Sequence, residues 1–504
     1  MARRGLKKLL IANRGEIALR IIRSARLMGL KTVAVYSEAD AGSAHVTAAD
    51  ETRLIGPAEA ALSYLNIEAI IAAARSSGAD AIHPGYGFLS ERPEFARAVK
   101  KAGIIFVGPT AEVMAALGDK LAARRLAAQI GVPTVPGTEI AGADAARSFA
   151  GQAGFPILIK AVAGGGGRGM RVVADQSQLD AALDAAAREA KAAFGDGRIF
   201  LEKYLARPRH VEVQVMGDEH GKLVALGERE CSIQRRHQKI VEESPAPGLP
   251  DAARERMIEA AIWLARAAGY RSAGTVEFLV EGNDFYFLEV NARLQVEHPV
   301  TELRFGCDLV AEQLRIAAGE HVTEPHAPRG AAIECRIYAE DAARDFWPAT
   351  GRVEHLNLPA GPGVRVDTHL TPGTTISAYY DGLLAKIIAA GETREDARRR
   401  MVLALGEFAL LGVTNTTAFL RDVIDSSAFA EAKLTTGFLH NFFPSWRPPD
   451  HDLEAALIAA ALVAGGAFSP ASRPSDSRSS DAEPARDARS PWDDLKGFNL
   501  WSRR

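Results

Sequence analysis

Residues 289–297 alternate strictly between polar and apolar side chains, and this pattern constrains the fold of the chain more than any other. Successive side chains of a β-strand point to opposite faces, so the alternation predicts a strand with one polar and one apolar face. The apolar face would carry Val290, Ala292, Leu294 and Val296, and the polar face Glu289, Asn291, Arg293, Gln295 and Glu297. Such a row of acids, amides and a guanidinium is unusual for the wet face of an ordinary edge strand.

The preceding residues predict a hairpin partner for this strand. Residues 275–280 and 285–288 have strand composition, and they flank a turn sequence at 281–284. A hairpin folded about that turn would place Glu277 opposite Glu289, with Cβ atoms about 5 Å apart. Two carboxylates at that distance repel each other, and a divalent cation between them would remove the repulsion.

Asn291 follows Glu289 by two residues and therefore lies on the same face of the predicted strand. Its amide oxygen is a third hard ligand atom, of the kind that Mg²⁺ and Mn²⁺ prefer. The pattern thus predicts a Mg²⁺ or Mn²⁺ site formed by Glu277, Glu289 and Asn291. The alternative is a solvated sheet face on which acids meet by chance. Continuation of the polar row into Arg293 and Glu297 favours the metal site.

Length and composition narrow the class of protein. The chain has 504 residues, enough for about three domains, and a formal net charge of −3, which gives no indication of nucleic-acid binding. Its 3 cysteines are far apart without metal-binding spacing, which is typical of a reducing cytosol. No run approaches the roughly 18 apolar residues of a membrane span. We therefore expect a cytoplasmic protein that binds no membrane.

The N-terminal region predicts a doubly wound parallel sheet. Apolar strands alternate with helical patterns, and the predicted strands are 9–12, 32–36, 79–83 and 104–107. Ligands gather at the C-terminal ends of such strands, where the glycine-rich loop 83–87 contains Tyr86. No G-x-G-x-x-G follows the first strand, so the sequence gives no indication of a nicotinamide cofactor.

A glycine-rich segment indicates a phosphate-binding lid. A single helix is predicted from Met114 through Ala128, with Lys120 on it, and a strand at 155–160 ends in Lys160. The glycine run at 164–167 leads into another strand instead of a helix, which excludes a Walker A loop. Glycines allow backbone N–H groups to approach phosphates closely, and a run of them suits a mobile lid. The alternative is a flexible hairpin tip.

Two further segments carry unusual charge. Residues 230–239 are dense in cations and amides and end in Lys239, a composition that suits phosphate and small anions. The alternative is a basic, solvated loop. Arg336 lies on a predicted strand at 332–338, with the same parity as Glu334, and the alternative for this arginine is a structural salt bridge.

These segments together resemble the biotin carboxylase component of the biotin-dependent acyl-CoA carboxylases, in the ATP-grasp superfamily. The resemblance runs from about Lys7 to Phe443. It rests on the strings ANRGEIA at 12–18, HPGYGFLSE at 83–91, AGGGGRGM at 163–170, EKYL at 202–205, QRRHQK at 234–239, RLQVEHPVTE at 293–302 and YYD at 379–381. Each string alone is modest support, whereas all of them in order are highly specific.

The resemblance implies an α/β and α+β multidomain fold. Residues 1–115 would form a Rossmann-like N-terminal domain, and residues 116–329 an ATP-grasp domain with a mobile lid at 132–204. Residues 330–446 would form an α+β C-terminal domain. Residues 447–504 are expected to comprise a helix, a disordered linker and an apolar terminal segment.

The resemblance also implies roles for individual residues. The metal ions would be held by Glu277, Glu289 and Asn291, in agreement with the hairpin argument. Bicarbonate would contact Lys239, Arg293, Gln295 and the backbone of Val296. Glu297 would be the base, Arg336 would stabilise the biotin enolate, Tyr86 would line the biotin pocket, and Asp381 would support the arginines. ATP would contact Glu277 and Glu289 together with Lys120, Lys160, Gly166, Gly167, Glu202, Lys203, Leu205, His210, Gln234 and His237.

The implied reaction is the ATP-dependent carboxylation of biotin. Deprotonated bicarbonate would attack the γ-phosphorus of ATP to give carboxyphosphate, whose breakdown supplies CO₂ to biotin. No Met-Lys-Met biotinylation motif occurs in the chain, so the biotin carrier protein and the carboxyltransferase are expected on other chains. The resemblance further implies a homodimer.

Two alternatives remain open. Another ATP-grasp carboxylate–amine ligase would keep the lid and the metal pair, but it would not need Lys239, Arg336 and the 293–297 row together. A catalytically silent nucleotide-binding scaffold would not need the intact acids and cations.

Overall fold

The computed structural model describes residues 5–140, 142–162, 170–194 and 196–448, together with residues 457, 458 and 461. Residues 1–448 and 449–504 form two separate units. The helix, linker and apolar segment predicted for 447–504 therefore fall almost entirely outside the described residues. Among the described residues, none of the helices combines the length and the apolar composition that crossing a lipid bilayer requires.

The N-terminal region has the predicted doubly wound sheet. Five parallel strands lie in the order β3-β2-β1-β4-β5. The elements are β1 (Lys8–Ile11), α1 (Gly15–Leu27), β2 (Lys31–Tyr36), α2 (Ala44–Ala48), β3 (Glu51–Leu54), α3 (Ile67–Ser77), β4 (Ala81–His83), α4 (Pro93–Lys101) and β5 (Ile105–Phe106). Strand β3 was not predicted, because its residues are polar and it lies at the edge of the sheet.

The helix predicted through residues 114–128 is two helices, so that prediction was wrong. They are α5 (Ala111–Gly118) and α6 (Lys120–Gln129). Between them Asp119 adopts an extended conformation, and its side chain accepts a hydrogen bond from the Ala122 N–H of α6. An aspartate at this position satisfies one of the free N–H groups at a helix start, so the residue restarts the helix instead of continuing it.

The lid segment folds as a small antiparallel sheet with two helices. Its strands lie in the order β6-β9-β7-β8. The elements are β6 (Gly137–Glu139), α7 (Ala143–Ala153), β7 (Ile157–Ala161), β8 (Met170–Val173), α8 (Leu179–Phe194) and β9 (Ile199–Lys203). Strands β7 and β8 pair from Ile157 with Val173 to Lys160 with Met170, as the predicted strand–glycine–strand unit requires. The glycine run itself lies outside the described residues.

An eight-stranded sheet, in the order β14-β13-β10-β11-β12-β15-β22-β20, forms the frame of the central region. The central elements are β10 (Arg209–Gly217), β11 (Leu223–Arg235), β12 (Gln238–Ser244), α9 (Asp251–Ala267), β13 (Ser272–Glu281), β14 (Asp284–Asn291), α10 (His298–Phe305) and α11 (Leu309–Ala317). The cationic segment 230–239 is thus the end of one strand, a two-residue turn and the start of the next, which excludes the basic loop as its alternative.

The same sheet continues into the C-terminal region, because β12 pairs with β15. The strands there are β15 (Ala331–Tyr338), β16 (Glu340–Asp341), β17 (Trp347–Pro348), β18 (Gly351–Arg352), β19 (His355–Asn357), β20 (Val364–Thr368), β21 (Thr375–Ile376), β22 (Leu383–Gly391) and β23 (Ala409–Leu411). The helices are α12 (Arg394–Glu407), α13 (Thr417–Asp425), α14 (Ser427–Ala430) and α15 (Phe438–Phe442). This continuity fixes Arg336 on β15 relative to Lys239 on β12.

Candidate active site

The hairpin formed by β13 and β14 has the predicted pairing at Glu277, whereas its register on the turn side of that residue differs by one position. Glu277 lies opposite Glu289, and Thr275 lies opposite Asn291, with a bulge after Glu277. The strand ends at Asn291, however, so the prediction that it continues to Glu297 was wrong. The chain leaves the sheet at Asn291 and crosses a short loop to α10, which begins at His298 with a proline in its first turn.

Hydrogen bonds bring the predicted polar row together even though it is not one strand. Arg293 donates from one Nη to Gln295 Oε1 at 2.7 Å and from the other to Asn291 Oδ1 at 3.1 Å. Its Nε donates to Glu91 Oε2 at 2.9 Å. Gln295 in turn donates to Glu277 Oε1 at 3.3 Å. The apolar residues Ala292 and Leu294 between them are buried, which anchors this loop in the core.

Lys239 is the common cation of the site. Its Nζ donates to Glu277 Oε1 and to Glu297 Oε1, both at 2.8 Å, and also contacts Glu212. Burial lowers the pKa of Lys239, but the carboxylates raise it by more, so the ammonium stays charged. Burial likewise raises the pKa of Glu297, while Lys239, Arg336 and other cations hold the net pKa well below its usual range. The site is therefore a pre-assembled cluster of ionised groups.

Arg336 lies on the other side of Glu297. One Nη donates to Glu297 Oε2 at 3.0 Å, and the same nitrogen contacts Glu242. Arg336 is almost fully buried, and burial alone would lower its pKa, but Glu242 and Glu297 raise the pKa well above its usual value. Glu297 thus lies between two permanent cations, with one of its oxygens on each.

Three buried residues of the site were missed from the sequence: Glu212, Arg229 and Glu242. Arg229 donates to Gln214 at 2.7 Å and to Thr301 at 3.0 Å, and it forms an ion pair with Glu212. It therefore fixes the carboxylate that Lys239 contacts. The sequence did contain a signal for Glu212, because His210, Glu212 and Gln214 alternate with valines and therefore lie on one polar face of β10.

His210 joins this cluster to the β11–β12 hairpin. Its Nε2 lies 2.9 Å from Glu277 Oε2, and its Nδ1 lies 2.7 Å from Gln234 Nε2. Burial alone would lower the pKa of His210. The nearby Glu277 carboxylate raises that pKa by a larger amount, so the net pKa lies above its usual value. His237, by contrast, is exposed on the two-residue turn, where it adopts a φ of 68°.

The remaining predicted ATP residues lie towards the lid. Lys160 on β7 pairs with Glu202 on β9, which also accepts from Arg124 at 2.6 Å. Lys120 Nζ lies 3.0 Å from Glu289 Oε2, so the first residue of α6 faces the hairpin. Leu205 is buried and Lys203 is exposed. Gly166 and Gly167 lie outside the described residues.

The predicted biotin-side residues are only partly brought together. The Tyr86 ring lies 5.9 Å from Lys386 Nζ, which donates to the Val296 carbonyl at 3.0 Å. The Tyr86 hydroxyl is buried, and no described protein group hydrogen-bonds to it. Asp381 is exposed and accepts from the Leu383 N–H at 2.8 Å. The structure shows no ion pair between Asp381 and an arginine among the described residues, so its predicted support of the arginines is not observed.

Three family models match consecutive parts of the chain. They are the biotin carboxylase N-terminal domain at residues 5–114, the carbamoyl-phosphate synthase L chain ATP-binding domain at 119–325, and the biotin carboxylase C-terminal domain at 334–441. The chain is 49% identical over 440 residues to the biotin carboxylase of Pseudomonas aeruginosa, covering 86% of this chain and 98% of that protein. The chain belongs to the biotin carboxylase family.

Longer proteins and solved structures of the same family are also similar. The chain is 48% identical over 445 residues to the mitochondrial propionyl-CoA carboxylase alpha chain of Sus scrofa, of which it spans 61%. It also resembles the biotin carboxylase domain dimer of Hydrogenobacter thermophilus 2-oxoglutarate carboxylase, solved with MgADP, ADP and bicarbonate. That match has a TM-score of 0.81 and 42% identity, and it covers 88% of this chain and 98% of that one.

The donor set on the hairpin fits a hard divalent cation in this biotin carboxylase fold. Glu277, Glu289 and Asn291 offer two carboxylates and an amide oxygen, which is the chemistry that Mg²⁺ and Mn²⁺ prefer. A second group, His210, Glu212 and Glu277, has potential ligand atoms within 4.8 Å of one another. Glu277 belongs to both groups, and we therefore regard it as the central acid of the candidate metal site.

Proposed function

We propose that this chain catalyses the ATP-dependent carboxylation of biotin with bicarbonate. One observation carries the proposal: Lys239 and Arg336 converge on the two oxygens of Glu297, directly beside the hairpin that pairs Glu277 with Glu289. A carboxylate–amine ligase needs the hairpin acids but has no need of a carboxylate held between these two cations. Membership of the biotin carboxylase family supports the same reaction.

Nucleotide binding is assigned to the lid side of the hairpin. Lys160 and Lys120 would contact phosphates, because each is a long cation whose only partner among the described residues is one carboxylate. The backbone of the glycine run, including Gly166 and Gly167, would cover the phosphates. The nucleoside would be bound by Glu202, Lys203, Leu205, His210, Gln234 and His237.

The metal would be Mg²⁺ or Mn²⁺, held by Glu277, Glu289 and Asn291. When bound, it would neutralise negative charge on the polyphosphate and thereby favour displacement at the γ-phosphorus. The chain's own residues orient the acids for this role. Gln295 donates to Glu277, and Asn291 also donates to Glu277 at 2.8 Å, so the central carboxylate is held in one orientation.

Bicarbonate would bind between Arg293 and Lys239, with Gln295 and the Val296 backbone as further contacts. Glu297 would then accept the bicarbonate proton, because its carboxylate is ionised and lies beside the same lysine. An anion on Lys239 draws positive charge away from Glu297 and raises the basicity of that carboxylate. The deprotonated oxygen attacks the γ-phosphorus, the bond to ADP breaks, and carboxyphosphate forms.

Biotin would bind on the side of Arg336, against Tyr86. Loss of the N1′ proton leaves negative charge on the ureido oxygen, and the Arg336 guanidinium would stabilise that charge by a charge-assisted hydrogen bond. The proton passes to the phosphate released from carboxyphosphate. Exclusion of water from this buried site would limit hydrolysis of the intermediate.

The partners are a biotin carboxyl carrier, which presents the biotin, and a carboxyltransferase, which uses the product. A homodimer is supported by the dimeric domain of the H. thermophilus relative. The cytoplasm is the proposed location, on the basis of unpaired cysteines at Cys231, Cys307 and Cys335. Static light scattering of the full chain at micromolar concentration tests the dimer, and a monomer mass would contradict it.

Phosphate release from ATP, with and without bicarbonate and free biotin, tests the function itself. The wild-type chain is expected to release phosphate in a manner that depends on both substrates. Glu297→Gln keeps the size of the side chain but removes the base, so it should lose about 100-fold or more of this activity. Release that ignores bicarbonate and biotin would reject the proposed reaction.

A further inference from the structure

Two buried acids lie behind Arg336, outside the residues that the reaction uses directly. Glu242 on β12 and Glu334 on β15 are register partners in antiparallel strands. Such partners have Cβ atoms about 5 Å apart, so their carboxyl groups can reach each other. Both side chains are fully buried.

These acids have too few partners for two charges. Glu334 accepts no hydrogen bond from the described residues, and the Arg336 guanidinium is the only cation in ion-pair contact with Glu242 among them. Glu242 at least touches a cation, since Arg336 lies within ion-pair distance, but Arg336 is shared with Glu297. If both carboxyl groups were ionised, two buried negative charges would face each other with only a shared arginine to offset them. Such an arrangement would carry a large desolvation cost.

The groups facing the pair from neighbouring elements do not supply the missing charge. Lys386 on β22 lies near Glu334 but pairs with Glu16 at 3.3 Å and Asp367 at 3.8 Å. Lys239 on β12 already pairs with three other carboxylates. The Cys231 thiol on β11 has a pKa raised by burial well above its usual value, so the thiol stays neutral. On α10, His298 has a pKa well below its usual range, and Glu302 pairs with Arg20 and Arg365.

We propose that, in mildly alkaline solution, Glu334 is protonated and donates a hydrogen bond to ionised Glu242, which in turn positions Arg336. A single proton then satisfies both carboxyl groups, because the Glu334 hydroxyl becomes a donor and a Glu242 oxygen its acceptor. The assignment follows the contacts: Glu242 touches the guanidinium, whereas Glu334 has no ion pair among the described residues.

The ionisation behaviour agrees with this arrangement. Burial raises the pKa of Glu242 to about 7 despite the charge of Arg336. Burial raises the pKa of Glu334 well above its usual value, and Lys386 only partly opposes this. Glu334 is thus the acid that keeps the proton as the pH rises.

The pair matters for catalysis because Arg336 must be ready to bind a charge that appears only in the transition state. Given the proposed biotin chemistry, on which this inference rests, Glu242 is a positioning residue that acts on the reaction through Arg336. A guanidinium fixed in advance needs no reorganisation when the ureido oxygen becomes negative. Loss of the carboxylate should therefore lower kcat more than it raises KM for biotin.

Kinetics of full-length variants test the positioning role. Glu242→Gln should lower kcat about 10- to 100-fold with KM for ATP unchanged. Wild-type kcat should rise with pH up to about 7 as Glu242 ionises, and this rising part of the pH profile should be absent in Glu242→Gln.

Glu334→Gln should lose less kcat than Glu242→Gln, because its amide N–H can still donate to Glu242. Glu243→Gln is the matched control, since Glu243 is buried on the same strand but pairs with Arg394.

Infrared difference spectra test the proton itself without relying on turnover. At pH 8, wild type minus Glu334→Gln should contain the C=O band of a protonated carboxyl group, and wild type minus Glu242→Gln should contain a carboxylate band. Absence of the protonated band, or wild-type kcat in Glu242→Gln, overturns the proposal. Wild-type phosphate release that does not depend on biotin would instead reject the proposed function, whatever the spectra show.

Discussion

Lys239 Nζ and Glu297 Oε1 are 2.8 Å apart, joining the second strand of the β11–β12 hairpin to the residue that precedes α10. The same ammonium contacts Glu277 and Glu212, so one cation joins three carboxylates from three segments of the chain. Only 11% of the Lys239 side chain is exposed, so water cannot take over the contacts of its ammonium group with these carboxylates. The catalytic cluster and the local stability of the sheet therefore depend on the same residue.

Lys239→Met should destabilise the chain as well as inactivate it. Removing one partner of a buried ion pair leaves uncompensated charge, which typically costs about 3–5 kcal/mol. Urea unfolding at pH 7 measures this loss. Lys433→Met is the control, because Lys433 forms an exposed ion pair with Glu431 and should change stability by less than about 1 kcal/mol. Equal stabilities of the two variants would contradict the account of Lys239.

Lys160→Met should weaken nucleotide binding with little effect on folding. Lys160 is partly exposed and pairs with Glu202, which keeps Arg124 as a second cation when the lysine is removed. KM for ATP is expected to rise about 10-fold or more, because a charged contact to phosphate is lost. Lys191→Met, on the exposed side of α8 in the same lid, should leave KM for ATP unchanged. Steady-state kinetics with varied ATP distinguish the two.

The pairing of Glu277 with Glu289 was predictable from strand alternation and a turn centred near Asn283, but the bulge that produces this pairing was not. Glu277 does lie opposite Glu289. The end of the strand was not predictable from alternation alone, because the polar and apolar order continues through residues that form a loop. Side chains in that loop still converge through hydrogen bonds such as Arg293 to Gln295.

Arg229 illustrates what the sequence could not provide. It lies on a strand of ordinary appearance, and its importance comes from Glu212 on the neighbouring strand and Thr301 on α10, 72 residues away in the chain. Long-range partners of this kind follow from strand order, and alternation within one strand does not determine which strands are neighbours. Glu242 was missed for the same reason, since its partner lies on β15.

Asp119→Ala should destabilise α6 by about 1 kcal/mol, because the side chain that accepts from the Ala122 N–H at 2.8 Å is removed from the helix start. Lys120 follows directly and faces Glu289, so fraying of this end should also raise KM for ATP modestly. Urea unfolding and ATP kinetics check both effects. Asp119→Ser, which can still cap the helix, should restore most of the loss; failure to do so would point to a role other than capping.

Asp40 in the N-terminal domain should make stability depend on acid pH. Arg14 Nε lies 2.6 Å from Asp40, and the Tyr64 hydroxyl donates to it at 2.6 Å. Burial raises the pKa of Asp40, but these two donors lower it by more, to about 2. The folded pKa is below the unfolded value of about 3.9, so the stabilisation is present above about pH 4 and is lost as the pH falls towards 2.

Asp40→Asn removes that linkage and leaves Arg14 without its buried counter-ion. At pH 7 the variant should be less stable than wild type by about 2–3 kcal/mol, since each unit of pKa shift corresponds to about 1.4 kcal/mol and a buried charge loses its partner. The difference should shrink steadily between about pH 4 and pH 3, because Asp40 of the unfolded wild-type chain takes up a proton there that folded Asp40 does not yet bind. Urea unfolding of both proteins from pH 7 to pH 3 measures the difference, and a gap that stays constant across this range would show that Asp40 is not the titrating group.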